Sequence, residues 1–383
     1  MHQCMVGISR FKSGITALLI HDPEICPQGE PGHSMDLEEE EYSEGDDAEN
    51  NEQVKSKEEG GANSKTKKAA AAMCVGIGSF SDPLEAQGLA HFLEHMLFMG
   101  STEFPDENEY ASYLSKHGGS SNAYTEAELT CYYFDVKQEF LKGALKRFSQ
   151  FFASPLLKSD AMGRELHAID SEFNRVLQDD FCRLLQLQGH TSSPGHPFKK
   201  FSWGNKKSLD DEKEKGINLW EQILKLNSDY YHGGLMKLVV IGGESLNVLE
   251  QWVLEFYSNI KKDPQVLVDL EFKAEGPIWK AEKLYRLEAV EDVHILHLAW
   301  TLPCLDRHYL NKPDDYLMHL LGHEGRGSLH FCLKARGWVT SLDTCLGGMD
   351  CSSVAYVFCV VIYLTDSGLD KIFEIIELVL SVH

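Results

Sequence analysis

The sequence predicts an α+β protein of two units, and three observations carry that expectation. Strand-like and helix-like runs come in blocks, with some strands adjacent in sequence and no strict strand–helix alternation. At 383 residues the chain has room for two domains of ordinary size. Its 43% hydrophobic content is enough for a buried core in each.

The elements follow in order. Residues 13–21 (SGITALLIH) are a short apolar run that stops at Asp22-Pro23, a strand and turn. Composition then changes abruptly. Residues 36–59 hold twelve acidic residues against Lys55 and Lys57, which cannot bury apolar area, so a disordered, solvated insertion is expected over about residues 30–68. A basic patch at residues 65–68 closes it. Residues 69–78 (AAAAMCVGIG) read as a glycine-punctuated strand, which would place the insertion inside a hairpin-like pair of strands. Ser81 or Asp82 can cap a helix with Pro83 in its first turn, running to about Met99 and stopped by Gly100. A polar-faced helix over about residues 108–117 and a Gly118-Gly119 turn lead into residues 121–136, whose later part alternates as a strand. Two helices near residues 139–153 and 159–177 come next. A Gly/Pro/Ser-rich loop at 189–203, a helix near 219–226, a strand at 236–242 and a helix at 246–260 complete a first domain over residues 1–262. The polar, proline-bounded stretch 261–277 is the expected boundary. A second domain, residues 277–383, repeats the element types in shortened form: a strand at 294–301, two helices within 313–337, a strand at 354–364 and a last helix at 369–382.

Charge and cysteine usage narrow the function classes. A net charge of −23 disfavours nucleic acid and anionic membrane surfaces as partners and favours basic ligands. The longest apolar run, residues 354–364, falls far short of the roughly 20 residues that span a bilayer. Ten cysteines are scattered without a CxxC pair, and residues 1–10 lack the basic-then-apolar pattern of an export signal. Reduced thiols in a cytoplasmic protein are the expectation. Cys74, close to the first long helix, is a candidate for sensitivity to thiol reagents.

One constellation carries chemistry. His91-Phe92-Leu93-Glu94-His95 reads H-x-x-E-H, an inverted zincin motif. Four residues apart on a helix, His91 and His95 leave the same face one turn from each other and can both reach one Zn²⁺. Glu94 lies at the edge of that face, in reach of a water beside the ion. The flanking Leu93, Met96, Leu97 and Met99 make the rest of the helix apolar, so unpaired imidazoles there would cost about 1–3 kcal/mol each unless a metal satisfied them. A catalytic zinc needs a third protein ligand and one open position. In the helix at 159–177, Glu165 and Glu172 stand seven apart, two turns along one face. Glu172 is the expected third ligand, and Glu165 the carboxylate that orients a ligating histidine.

Residues 69–133, with that motif at their centre, resemble the catalytic segment of the pitrilysin/insulysin family of zinc metallopeptidases, and the acidic run before them resembles its nardilysin-like branch. The similarity continues through His323-Glu324-Gly325-Arg326-Gly327-Ser328-Leu329 and Gly337-Trp338, which are similar to a family segment that anchors a substrate's amino terminus. The resemblance implies one Zn²⁺ on His91, His95 and Glu172, with Glu94 as general base. It implies an edge strand carrying Asn122 and Ala123, on which an extended peptide lies by strand addition. It implies a substrate-anchoring exosite formed by His323, Glu324, Gly347 and Gly348, where the glycines admit a peptide backbone closely. Peptides, basic ones among them, are the implied substrates.

Family members have about four such domains in two halves that close over a chamber, the second half supplying an arginine and a tyrosine. The chain stops at His383, inside what the resemblance makes the second domain. It is therefore expected to be a truncated form, with two further readings open: a peptide-binding or regulatory module, or a partial gene product. The last helix sets Leu369, Ile372, Phe373, Ile376, Val379 and Leu380 on one apolar face. Self-association, or pairing with a C-terminal half, is expected to cover it.

Overall fold

The computed structural model describes residues 4–25, 67–209, 216–262, 276–279, 283–354 and 356–381. The acidic run at 36–59, expected to be a solvated insertion, and most of the boundary stretch 261–277 lie outside the described residues.

Nine strands build two sheets among the described residues. The first has the order β1 (Met5–Arg10), β2 (Thr16–His21), β6 (Met236–Gly242), β3 (Ala69–Val75), β5 (Thr130–Val136), β4 (Ser120–Thr125). β2 and β6 run parallel and every other pair is antiparallel. Alternation sets the faces: in β3, Ala69, Ala71, Met73 and Val75 are buried while the residues between them are partly exposed. This order corrects the hairpin-like pairing expected across the acidic run. β2 and β3 do not touch, because β6 lies between them and pairs with both. Strand propensity is local and shows where strands are; the choice of partner is long-range and left no mark in residues 13–78.

The helices of this unit are α1 (Leu89–Leu97), α2 (Glu109–Lys116), α3 (Leu141–Ala153), α4 (Met162–Val176), α5 (Asp180–Thr191), α6 (Lys206–Leu209), α7 (Leu219–Tyr230) and α8 (Leu246–Tyr257), and all but α5 bury residues in its core. Phe92, Leu93, Met96 and Leu97 of α1 join Phe148, Phe151 and Phe152 of α3 and Tyr132 and Phe134 of β5 in one core. The same four α1 residues are fully buried, so α1 is fixed as a rod inside the domain.

α1 begins at Leu89, six residues later than Pro83 suggested. The Asp82 carboxylate nevertheless caps it, reaching across a turn to accept from the N–H of Gly88 at 2.7 Å and of Ala90 at 2.8 Å. Residues 121–136 are two strands, β4 and β5, joined by a short turn. α5 and the edge strand β1 have no counterpart in the sequence reading.

The second sheet is antiparallel in the order β7 (Ile295–Leu302), β9 (Tyr356–Leu364), β8 (Val339–Cys351). α9 (Pro313–Leu321), α10 (Leu329–Ala335), α11 (Asp366–Leu369) and α12 (Ile372–Leu380) accompany it. The last helix corrects the fully uncovered face expected of it. Ile375 and Val379 are buried against Leu333, Leu342 and Val360, with Ile372 and Ile376 packed beside them, while Leu369, Phe373 and Leu380 stay exposed. Ile375 escaped the sequence reading because a wide apolar helix does not reveal which arc meets the sheet.

A small cluster of Phe80, Ala127, Phe198, Ile278, Val357 and Cys359 joins the two sheets' neighbourhoods. There Ser353 donates its backbone N–H to Glu128 at 2.9 Å. Among the described residues no helix is long and apolar enough to cross a membrane.

Candidate metal centre

Helix pitch does for α1 what the motif promised. The rings of His91 and His95 lie with centroids 5.0 Å apart, edge to face. Each has one nitrogen committed to the protein. His91 Nδ1 is 2.6 Å from the Trp203 carbonyl oxygen, which can only accept, so Nδ1 carries the proton. His95 Nδ1 is 3.3 Å from Glu165 Oε2, a carboxylate oxygen with the same consequence. Both Nε2 atoms are left as lone-pair donors. Glu172 Oε2, from α4, lies 3.6 Å from His91 Nε2 and 3.7 Å from His95 Nε2.

These three atoms fit a single ion. Tetrahedral zinc with bonds of about 2.0–2.2 Å sets its ligand atoms about 3.3–3.6 Å from one another, and both Glu172–imidazole distances lie at or just beyond that range. His91, His95 and Glu172 form the one group of this kind among the described residues. Burial lowers the His91 pKa, whereas at His95 burial is outweighed by the Glu165 hydrogen bond and the surrounding carboxylates, which raise it. The bond from His95, with help from Arg164, holds Glu165 below the usual carboxylate range and so ionised.

The Trp203 carbonyl arrives by a close backbone approach. Gly88, at φ +95°, precedes α1, and a Cβ there would lie 2.1 Å from the Gly204 Cα. Only paired glycines let the 201–204 loop pass this near. Phe173 of α4 packs on Phe201 and Trp203, with centroids 5.0 and 6.4 Å away, and fixes the loop from the other side.

Glu94 is 7% exposed. Thr125, the last residue of β4, donates its hydroxyl to Glu94 Oε2 at 2.6 Å and lies 3.2 Å from the Thr130 hydroxyl of β5. Burial pushes the Glu94 carboxyl up to about 7, against the pull of that hydroxyl. Thr125 and the Trp203 carbonyl are site groups that sequence reasoning missed. Neither had a signal: one is a threonine in a polar strand, the other a backbone atom 112 residues from its partner.

The other expected positions lie apart from this cluster. Asn122 and Ala123 are in β4, the outermost strand of its sheet, three and two residues before Thr125. Asn122 is exposed. His323 and Glu324 are exposed in the loop between α9 and α10, where His323 Nδ1 accepts from the Gly325 N–H at 2.8 Å. Gly347 and Gly348 are in β8, at the edge of the second sheet, within the stretch where its register with β9 shifts.

Comparison with known proteins identifies the family. A family profile described as insulinase (peptidase family M16) matches residues 61–195, and a second, peptidase M16 inactive domain, matches residues 220–382. The chain is 69% identical over 313 residues to a nardilysin-like protein of Arabidopsis thaliana, covering 81% of this chain and 30% of that one. It is 43% identical over 319 residues to the A-factor-processing enzyme of Saccharomyces cerevisiae, covering 82% of this chain and again 30% of the relative. The chain thus spans about a third of the length of these relatives. In three dimensions it resembles pitrilysin with a TM-score of 0.77 at 24% identity, over 99% of this chain and 36% of that one. With the inverted motif on α1, the α+β fold it shares with pitrilysin and two matched family segments that leave little of the sequence outside them, the chain belongs to the insulinase family of peptidases, family M16.

Proposed function

We propose that the chain carries the zinc-binding and proton-transfer machinery of an endopeptidase that acts on extended peptides. The observation behind this reading is the convergence of His91 Nε2, His95 Nε2 and Glu172 Oε2 beside a buried carboxylate, Glu94, on the same helix. His91, His95 and Glu172 would hold the zinc, with Glu165 and the Trp203 carbonyl fixing the two rings. When bound, zinc acidifies a water and polarises the scissile carbonyl. Glu94 takes a proton from the attacking water and delivers it to the leaving amine.

Substrate would lie along β4, whose outer edge offers unpaired backbone groups past Asn122 and Ala123 to a peptide strand. This sets the scissile bond near Thr125 and so near Glu94. His323, Glu324, Gly347 and Gly348 would receive the peptide's amino terminus, a role supported by the family resemblance and by the exposure of the first two. Purified chain should contain zinc and cleave a fluorogenic peptide; a chelator should stop cleavage and added zinc restore it. Zinc-loaded protein without turnover would favour a second reading, in which the chain captures peptides and needs a complementary partner. Exposed Leu310 and Phe373, at 81% and 75%, speak for such a partner in the second unit.

Thr125 is assigned the positioning of Glu94. Thr125→Val should lower kcat about tenfold or more with zinc content unchanged, since a hydrogen bond to a charged group contributes about 1.5–3 kcal/mol. Thr125→Ser should recover most of it. Equal kcat in Thr125→Val and the parent would remove Thr125 from the mechanism.

Preference for basic peptides rests on the net charge and the acidic run. Deleting residues 36–59 should leave zinc binding intact and weaken capture of basic peptides. The difference should shrink with added salt, which screens exposed charges beyond about 8–10 Å. Identical affinity for basic and neutral peptides, with and without the segment, would make the run a passive loop.

A further inference from the structure

On the face of the first sheet opposite the helices, two thiols stand side by side. Cys74 of β3 and Cys131 of β5 are directly opposed across the antiparallel ladder, and the Cys74 thiol donates to the Cys131 sulfur at 3.2 Å. In β3 the core residues are Met73 and Val75, so Cys74 faces outward and is partly exposed. Cys131 lies beneath it, 5% exposed, opposite Tyr124 of β4.

This is the geometry a cross-strand disulfide requires. Directly opposed antiparallel residues have Cα atoms about 4.5–5.5 Å apart, inside the span of about 4.4–6.8 Å that a disulfide bridges. The sulfurs need to close only from 3.2 Å to about 2.05 Å, which side-chain rotation supplies without moving the strands. Reactivity is also arranged. The hydrogen bond from Cys74, followed by one from Tyr124, draws the Cys131 thiol down from its ordinary value, while the same hydrogen bond pushes Cys74 upward. One thiolate paired with one neighbouring thiol is the arrangement of a reacting and a resolving cysteine.

We propose that Cys74 and Cys131 form a reversible redox modification site, oxidised to a disulfide by hydroperoxides. The Cys131 thiolate attacks a peroxide oxygen, the O–O bond breaks, hydroxide leaves, and a sulfenic acid forms. The Cys74 sulfur then attacks Cys131 sulfur; the S–S bond forms, the S–OH bond breaks, and water leaves with the Cys74 proton. Two thiols lose two electrons and hydrogen peroxide becomes two waters. A dithiol reverses the change by exchange. The bridge ties β5 to β3 next to Thr130, whose hydroxyl contacts Thr125 and donates to the Ile77 carbonyl.

The test treats the whole chain with a small molar excess of hydrogen peroxide, alkylates the remaining thiols in denaturant and maps peptides without reduction. A peptide pair joining Cys74 to Cys131 is expected, with loss of alkylation at these two of the ten cysteines and full recovery after dithiothreitol. The oxidised protein should melt about 5 °C higher or more, because the bridge restricts the unfolded chain. Cys131→Ser should leave Cys74 alkylatable after peroxide. Cys345 and Cys359, also opposed across their strands, give an internal comparison, since Cys359 is 1% exposed. Cys74 and Cys131 remaining alkylatable, or linked to other partners, overturns the proposal, and the mapping of unsubstituted protein decides it even if a variant folds poorly.

Discussion

Glu94→Gln is expected to abolish peptide hydrolysis while leaving zinc bound. The substitution preserves size and keeps an acceptor for the Thr125 hydroxyl, now 2.6 Å from Glu94 Oε2, so the surroundings of this buried side chain have no reason to reorganise. An amide cannot take a proton from water or return one to an amine. General acid–base catalysis contributes about 10²–10⁴ in rate, and here one carboxylate serves both transfers, so turnover should fall by at least about a hundredfold. KM for the peptide should change little, because strand addition along β4 does not involve this side chain. Metal analysis sharpens the test: loss of zinc from the variant would make Glu94 a ligand and the assignment of roles wrong.

Glu172→Ala should do the reverse, removing the ion first and activity as a consequence. Glu172 Oε2 is the carboxylate oxygen that faces both imidazole Nε2 atoms, at 3.6 and 3.7 Å. Without it, two nitrogens on one helix face are left to hold a dication, and affinity should fall by more than the roughly 10–100-fold expected for Glu165→Ala, which acts through His95. Thermal stability reports this independently of catalysis. An ion bound only by the folded state adds about 2.7 kcal/mol at a hundredfold excess over Kd, so the parent should melt lower in chelator, and the variant should show no chelator-dependent shift. A Glu172→Ala protein with full zinc and full activity would show that the third ligand lies elsewhere.

The parts of this site that were legible in the sequence are those governed by local geometry. Four-residue spacing on a helix must bring His91 and His95 together, and the seven-residue interval from Glu165 to Glu172 must align two carboxylates on α4. That these helices cross with Glu165 beneath one imidazole and Glu172 between both was not written locally. It depends on Phe92, Leu93, Met96 and Leu97 seating α1 in the core. The start of α1 misled for a related reason. Ser81-Asp82-Pro83 looks like a helix opening, and Asp82 does cap α1, but through a turn closed by a left-handed Gly88 rather than from the adjacent position. The sheet order was the least legible feature, because β6 reaches its place between β2 and β3 from more than 160 residues beyond β3. Thr125 could not have been singled out at all: its hydroxyl matters only because β4 happens to end beside Glu94.

X-ray absorption at the zinc edge of the loaded chain reads the ligand atoms themselves and not the activity. Two imidazole nitrogens at about 2.0–2.1 Å are expected, with the remaining scattering from oxygen at about 2.0–2.2 Å and no sulfur. A sulfur shell at about 2.3 Å would contradict it, placing the ion on cysteines and leaving His91, His95 and Glu172 without the role assigned to them.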